Sequence, residues 1–326
     1  MAVPAREAMP FTAVLLIAFG GPTRAEEIRP FLRNVTAGRP IPPARIEEVA
    51  RHYERMGGRS PLNELTMRQA RALERALAQG PAALPVYVGM RNWHPFLAET
   101  LSAMRDRGVE RALGVILSSF DSEAGWQRYV ENVADARRTL EREGAESPEV
   151  VFAPNWHAEP LFIEAQAARI EEALHEVASG RRRDVPLVFT AHSIPQAMAA
   201  RSAYVEQYER SSRMVAERLG HTRWLLAYQS RSGRAQEPWL GPDVKQAIED
   251  LAVQGASEVV LAPIGFVCDH VEVLYDLDDE ARATADRVGV RYLRAATVGD
   301  HPAFIEMLAA LVRNGCSVHA KREAGR

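Results

Sequence analysis

This sequence has few cysteines, no large excess of positive or negative charge, and no long stretch of apolar residues. Each of these features excludes a class of protein. Only two cysteines, Cys268 and Cys316, occur among the 326 residues, too few to supply the four ligands of a structural zinc or iron–sulfur site. The 40 basic and 43 acidic residues give a net charge of −3, without the basic excess that nucleic-acid binding requires. No apolar run reaches the roughly 18 residues of a membrane-spanning helix, and residues 1–10 lack the apolar core of a secretory signal. We therefore expect a globular cytoplasmic protein that has no transmembrane segment and no nucleic-acid partner.

Short, continuous apolar runs alternate with amphipathic stretches along the chain. Strands that are apolar throughout, each followed by a helix, are typical of parallel sheets covered on both faces, so the predicted fold class is α/β. The predicted strands are residues 13–19, 86–90, 112–117, 150–153, 187–190, 224–228, 258–262 and 291–294. The predicted helices are residues 25–33, 43–55, 66–79, 95–107, 123–143, 160–178, 204–219, 244–254, 274–287 and 302–312.

The two halves of the chain contain weakly similar segments in the same order. They predict two similar, doubly wound halves at residues 10–150 and 151–315, followed by a polar tail at 316–326. Ligands bind such folds at the carboxyl ends of the strands, so we expect a cleft between the halves. The similar pairs are LLIAFGGP (15–22) with LVFTAHSIP (187–195), VYVGMRN (86–92) with LLAYQSR (225–231), and GVILSSF (114–120) with VVLAPIGF (259–266).

The stretch VVLAPIGFVCDHVEVLYDLDDE (259–280) is predicted to be a buried strand, a turn and a helix. Glu272, Asp276 and Glu280 are spaced by four residues, which places them on one face of a helix. Like charges at this spacing repel, so the helix requires cations or solvent beside it. Such a file of carboxylates is suited to the passage of a hydrated divalent cation. A solvated acidic helix face is the alternative.

His192 lies in the segment TAHSIP (190–195), where a predicted strand has just ended. This position places it at the expected cleft, and imidazole is the side chain best suited to proton transfer near neutral pH. The alternative is a structural histidine that caps a turn. The histidines in helical or surface contexts are expected to be solvated; they are His52, His157, His175, His221, His301 and His319.

Several longer motifs follow one another in the order found in one enzyme family. They are LLIAFGGP (15–22), HYERMGGRSPLNELT (52–66), VGMRNWHPF (88–96), FTAHSIP (189–195), AYQSR (227–231), EPWLGPDV (237–244) and PIGFVCDHVEVLYDLD (263–278). On these motifs the sequence resembles the ferrochelatases over nearly its whole length.

The resemblance implies a lyase of haem biosynthesis that inserts Fe²⁺ into a porphyrin held between two Rossmann-like halves. It identifies His192 as the catalytic base and Glu272 as its partner, and it implies a metal path formed by His192, Glu272, Asp276 and Glu280. The porphyrin contacts that it implies are Phe19, Ser60, Arg91, Asn92, Ser122 and Tyr129. Porphyrin and Fe²⁺ are then substrates, no tightly bound cofactor and no 2Fe–2S cluster are expected, and haem-pathway enzymes are expected as transient partners.

Three positions depart from the family pattern. Phe19 replaces a frequent tyrosine and cannot ligate a metal, residues 119–122 (SFDS) replace a Pro-His-Tyr/Phe-Ser loop, and Thr36 replaces a basic residue. The sequence is closest in type to the soluble coproporphyrin enzymes, so coproporphyrin III is favoured over protoporphyrin IX. Its four propionates are expected to pair with arginines; the candidates are Arg33, Arg39, Arg59 and Arg91.

Two other functions are compatible with this fold. A cobalt chelatase of the sirohydrochlorin type typically has a histidine-rich metal site, whereas this chain has the file of carboxylates that ends at Glu280. A non-catalytic haem or porphyrin carrier is suggested by the altered loop at 119–122, but the presence of both His192 and Glu272 favours catalysis.

Overall fold

Two parallel, four-stranded sheets form the centre of the molecule. The computed structural model describes residues 11–80, 83–232 and 237–324, with side chains as far as residue 317. Within these ranges the strand order is β2-β1-β3-β4 in the first sheet and β6-β5-β7-β8 in the second. None of the helices in the same ranges combines the length and apolar character needed to cross a membrane.

The first sheet and its helices come from the N-terminal half of the chain. A 3₁₀ turn at Ala25–Glu27 precedes the first helix, and a π-helical turn at Glu123–Gln127 precedes the fifth. The elements are β1 (Ala13–Ala18), α1 (Ile28–Thr36), α2 (Pro43–Arg55), α3 (Leu62–Ala78), β2 (Val86–Met90), α4 (Leu97–Asp106), β3 (Arg111–Ile116), α5 (Arg128–Arg142) and β4 (Glu149–Phe152).

The second sheet and its helices come from the C-terminal half. A π-helical stretch at Leu274–Ala281 separates two short α-helices where one regular helix over 274–287 was expected. The elements are α6 (Pro160–Leu174), β5 (Leu187–His192), α7 (Gln196–Ala199), α8 (Tyr204–Leu219), β6 (Trp224–Gln229), α9 (Val244–Val253), β7 (Glu258–Ala262), α10 (Val271–Val273), α11 (Arg282–Arg287), β8 (Arg291–Arg294) and α12 (Pro302–Ala324).

The internal similarity predicted from the sequence is a repeat of topology. Each of the three similar pairs supplies strands that occupy the same place in the two sheets: β1 corresponds to β5, β2 to β6, and β3 to β7. In the first sheet β1 pairs in parallel with β2 and β3, and in the second sheet β5 pairs in parallel with β6 and β7. The fold class predicted from the continuous apolar runs is therefore confirmed.

Strand parity decides which face each side chain meets. In β5, Leu187, Phe189 and Ala191 belong to a large central core that also contains residues of β1 and β3. Val188 points the other way, into a core that includes Val273 and Leu277. Since side chains alternate along a strand, Thr190 and His192 share the face of Val188, which is the face covered by residues 271–281.

The last helix joins the two halves. α12 packs against α6 in its own half and against α3 and β3 of the other half. A Cβ atom added at Gly315 would lie 2.9 Å from Leu113 Cδ2, so the helix backbone lies directly on the first sheet. The structure differs here from the predicted polar tail at 316–326: Cys316 is buried, and the Ala, Lys, Arg and Glu residues beyond it are good helix formers that prolong α12.

Gly265 marks a close approach between the turn after β7 and the end of β5. Its N–H donates to Thr190 O at 3.1 Å, and an added Cβ would lie 2.7 Å from Ala191 Cβ and 2.8 Å from Ala191 Cα.

We expect Gly265→Ala to lower the free energy of unfolding by about 1–3 kcal/mol, because the overlap forces one backbone away from the other. Urea-induced unfolding measures this change. Gly180→Ala is the control, since its Cβ would meet nothing within 4 Å; equal unfolding midpoints for the two variants would contradict the prediction.

Candidate active site

His192 is the last residue of β5, two residues beyond the predicted end of that strand. The strand is longer because Ala191 and His192 continue the parallel pairing, opposite Tyr228 and Gln229 of β6. The Tyr204 hydroxyl donates to His192 O at 2.8 Å, which holds the backbone at this point. The side chain is one-third exposed, so the imidazole stands at the carboxyl end of the sheet and reaches solvent.

The contacts of the imidazole define its tautomer. Nδ1 contacts the carbonyl oxygen of Ser193, and a carbonyl oxygen only accepts hydrogen bonds, so Nδ1 carries the proton of the neutral ring. Nε2 therefore presents a lone pair, and it lies 3.7 Å from Glu272 Oε2. Two acceptors do not hydrogen-bond with each other, but an imidazolium formed at Nε2 would gain an ion pair with Glu272. The pair is thus arranged to receive a proton.

Glu272 belongs to the acidic segment (residues 269–280), which contains α10 and most of the π-helical stretch. Val273, Leu277 and Ala281 are fully buried against the second sheet. Glu272, Asp276 and Glu280 each come one residue before one of these buried side chains. The carboxylates and the buried side chains therefore have the same spacing of four residues. The packing of this apolar stripe places Glu272 over the carboxyl end of β5.

The other carboxylates of the acidic segment are matched by partners from elsewhere in the chain. The sequence analysis predicted that cations or solvent lie beside these carboxylates. In the structure their partners are three cationic side chains and one hydroxyl. Glu272 differs from its neighbours because its ion-pair contact is with His192. The contacts of the others are Asp269–Arg294 at 3.1 Å, Asp278–Arg294 at 2.6 Å, Asp279–Arg55 at 2.9 Å, Glu280–Lys245 at 2.7 Å, and Asp276 with the Ser230 hydroxyl.

Asp276 and Lys245 both have shifted pKa values. Burial raises the pKa of Asp276 to about 7; the Ser230 hydrogen bond opposes this shift, and the charges of Glu272 and Glu280 add to it. Burial works against the charge of Lys245, but its hydrogen bond and ion pair with Glu280 prevail, and the pKa of Lys245 is raised. Asp276 can therefore take up and release a proton near neutral pH, while Lys245 stays cationic.

Helix α2 of the first half covers one side of the acidic segment. His52 stacks on Tyr275 with ring centroids 3.7 Å apart and an angle of 9° between the rings, and Arg55 lies 5.5 Å from the same ring. His52 is therefore partly buried, where a solvated side chain was expected. The same expectation is wrong for His221, which is buried with Nε2 2.7 Å from Val185 O.

Four of the six predicted porphyrin contacts lie together at the carboxyl end of the first sheet. The Arg91 guanidinium lies 5.9 Å from the ring centroids of both Phe19 and Tyr129. The Asn92 side chain donates to Phe19 O at 3.3 Å. Burial lowers the pKa of Arg91 and raises the pKa of Tyr129 to about 12. Phe19 and Arg91 are partly exposed, whereas Asn92 and Tyr129 are buried beside them.

The two predicted serines are buried, as Asn92 and Tyr129 are. Ser60 and Ser122 are 6% and 3% exposed. The Ser60 hydroxyl accepts from Leu62 N at 3.3 Å, and the Ser122 hydroxyl accepts from Gly125 N at 3.0 Å. Both hydroxyls stabilise turns in this conformation, and their contact with a porphyrin stays a prediction.

The predicted metal path is interrupted by protein groups. In the parts of the chain that the structure describes, no three His, Cys, Asp or Glu side chains are grouped so that they could hold a metal ion. The set of His192, Glu272, Asp276 and Glu280 therefore stays a prediction. Two residues that the sequence did not indicate lie within it, since Ser230 contacts Asp276 and Lys245 contacts Glu280.

Ser230 had a partial signal in the sequence, because it lies in the AYQSR motif. Its φ of +61° makes it the one non-glycine residue with positive φ among the described residues, a conformation that is uncommon for serine and that is often found at functional sites. In this conformation its hydroxyl is directed at Asp276. Arg55 likewise lies in the motif HYERMGGRSPLNELT (52–66). Lys245 and Arg294 gave no comparable signal, since each is an ordinary helix or strand residue that meets the acidic segment only in the folded chain.

Comparison with known proteins supports one family. The family model described as ferrochelatase matches residues 11–316. The coproporphyrin III ferrochelatase of Mycobacterium ulcerans is 44% identical over 307 residues, which is 93% of this chain and 87% of that protein. The enzyme of the same name from Nocardia farcinica is 40% identical over 325 residues, or 97% and 92% of the two chains.

A solved structure shares the fold at much lower sequence identity. The sirohydrochlorin chelatase SirB from Bacillus subtilis subspecies spizizenii, in complex with cobalt, superimposes with a TM-score of 0.54 and 12% identity. The match covers 94% of this chain and 95% of that chain. Identity this low shows a common two-sheet architecture and carries no information on the metal or the substrate.

Proposed function

The chain belongs to the ferrochelatase family, and on this premise we propose that it inserts Fe²⁺ into a porphyrin, with coproporphyrin III as the preferred substrate. The observation that carries the proposal is the placement of the His192 ring, whose Nδ1 contacts Ser193 O and whose Nε2 lies 3.7 Å from Glu272 Oε2. A base and a partner carboxylate, at the open end of a sheet, are what the removal of pyrrole protons requires.

The charge balance of the reaction assigns a task to each side chain. Insertion of Fe²⁺ replaces two pyrrole protons, so two protons leave for each iron that enters. In the proposed mechanism His192 Nε2 accepts a proton from the ring, and Glu272 stabilises the imidazolium that results. Asp276, with its pKa raised to about 7, receives protons from this pair and releases them along the acidic segment. His192, Glu272, Asp276 and Glu280 attract the incoming cation by their charge or lone pairs.

The first half supplies the proposed porphyrin seat. Phe19 and Arg91 offer a partly exposed aromatic ring and a guanidinium, with Tyr129 buried beside Arg91, and this combination suits a flat ring with anionic edges. Arg33, Arg39 and Arg59 are exposed and are the proposed partners of further propionates. The choice of coproporphyrin III is supported by the relatives that are 40–44% identical, which are coproporphyrin III ferrochelatases.

The compartment, cofactors and partners of the enzyme are inferred as follows. We propose that the enzyme acts in the cytoplasm, without a tightly bound cofactor or iron–sulfur cluster and without a nucleic-acid partner. It would exchange substrate and product transiently with haem-pathway enzymes. Cys268 and Cys316 are both free and buried, which fits a reducing compartment.

An anaerobic absorbance assay tests the proposal. Fe²⁺ is supplied with coproporphyrin III or with protoporphyrin IX, and the loss of the free-base porphyrin bands is followed over many turnovers. We expect kcat/KM to be about tenfold higher for coproporphyrin III, the equivalent of roughly 1.4 kcal/mol, because its additional propionates gain charge-assisted hydrogen bonds. Stoichiometric binding without turnover would instead identify a carrier, and insertion of Co²⁺ into sirohydrochlorin alone would identify a cobalt chelatase.

A further inference from the structure

Arg294, the last residue of β8, is in contact with both ends of the acidic segment. Its Nη1 lies 3.1 Å from Asp269 Oδ1 and its Nη2 3.3 Å from Asp269 Oδ2. Its Nε donates to Asp278 Oδ1 at 2.6 Å. Glu272 lies between these two attachment points. One planar guanidinium therefore fixes the start and the end of the stretch that carries the partner of His192.

The attachment is the least exposed of those made by the cations around the acidic segment. The Arg294 side chain is 13% exposed, against 59% for Arg55 and 41% for Lys245. Exposed ion pairs contribute little and are screened by salt, whereas enclosed, multiply hydrogen-bonded pairs hold their geometry. Burial opposes the charge, but Asp269 and Asp278 prevail and raise the pKa of Arg294. Of these three cationic side chains, Arg294 therefore holds the acidic segment in the most fixed geometry.

Arg294 and His192 are carried by the same sheet. Arg294 pairs with Leu261 of β7, and Leu261 pairs with Val188 of β5, the strand that ends at His192. The sheet is a continuous hydrogen-bonded frame between the two residues. A side chain that ties the acidic segment to this frame also fixes the separation of Glu272 from His192.

We propose that Arg294 is a positioning residue for the His192–Glu272 pair. Its role is to hold Glu272 at the distance from His192 Nε2 at which an imidazolium is stabilised. This inference rests on the proposed function, because its consequence is a change in the rate of metal insertion.

The test compares Arg294→Lys with Arg291→Lys in the full-length protein. A lysine at 294 keeps the positive charge but reaches one aspartate at a time, so the two-point attachment is lost. Arg291 is the matched control, since it lies on the same strand and pairs with Glu258 and Glu176, away from the acidic segment. We expect Arg294→Lys to lower kcat for Fe²⁺ insertion by about tenfold, because small displacements of a catalytic group are costly. KM for the porphyrin and kcat of Arg291→Lys should stay within about twofold of wild type.

A double-mutant cycle separates positioning from a general loss of stability. If Arg294 acts through Glu272, then Arg294→Lys should change kcat by less than about twofold in a Glu272→Gln background. An equal loss of kcat in both backgrounds, or an equal loss in Arg291→Lys, would overturn the inference. Asp278→Asn removes only one attachment point and is the second variant if Arg294→Lys does not fold; it should lower kcat by about threefold or more, and unchanged kcat would overturn the inference as well. A wild-type protein that metallates no porphyrin would instead show that the proposed function fails.

Discussion

Replacement of His192 by alanine is expected to lower kcat for iron insertion by about 10²- to 10⁴-fold, which is the contribution of a positioned general base. The reason is geometric. Nδ1 is engaged by Ser193 O and Nε2 presents a lone pair beside Glu272, so the substitution removes the proton acceptor and leaves the backbone in place. The Tyr204 hydrogen bond goes to the main-chain oxygen of His192, and it is retained in the variant.

The measurement is the anaerobic absorbance assay with coproporphyrin III, accompanied by fluorescence titration of porphyrin binding. Binding should change little, since the predicted porphyrin contacts lie mainly in the first half. His175→Ala is the control, because His175 is an exposed residue at the end of α6. Added imidazole should restore part of the activity of the alanine variant by occupying the vacated space. Near-wild-type kcat in His192→Ala would show that another group accepts the pyrrole protons.

Glu272→Gln is expected to lower kcat by about 10²-fold while KM for the porphyrin changes little. An amide cannot balance the charge of an imidazolium, so the protonated state of His192 loses its partner. An amide at this position also introduces N–H groups, and one of them can donate to the Nε2 lone pair and occupy the site of proton transfer. The substitution therefore acts on the transition state rather than on ring binding, which is a loss of kcat.

The matched control is Glu209→Gln, which neutralises an exposed carboxylate on α8 that pairs with Arg213. It should retain wild-type kcat. The double variant His192→Ala, Glu272→Gln should be no slower than His192→Ala alone, because the two side chains act as one unit. Additive losses would mean that Glu272 serves the metal or the porphyrin independently of His192.

The elements whose boundaries were predicted correctly are those whose signals are local. The bounds of α2, α8, β2, β7 and β8 are those expected from the sequence, because apolar periodicity and the residues that stop it lie within each element. The end of β5 was missed by two residues, since Ala191 and His192 are held in the strand by pairing with β6. Pairing between distant strands leaves no mark in a local pattern.

In the candidate site too, the residues with local sequence signals were predicted and the contacts between distant residues were not. His192 and Glu272 were found through motifs, and the structure brings them together. The partners of the other carboxylates were not found, because Arg55, Lys245 and Arg294 are each separated from the acidic segment by a turn, a strand or a whole domain half. The π-helical stretch was also missed: its hydrogen-bond register depends on how residues 274–281 pack, and the spacing of four is equally compatible with an α-helix.

The path of α12 has a consequence for how the protein is made. Leu113 of β3 and helix α3 are synthesised early, yet the helix that covers them, α12, follows all the other described elements. Until α12 has left the ribosome, one apolar face of the first sheet is without part of its cover, and such a face is exposed to aggregation and to chaperones. The first half can therefore form its strands early but can complete its core only after α12 has been synthesised. Because α12 also packs against α6 of the second half, both halves complete their cores in the same step.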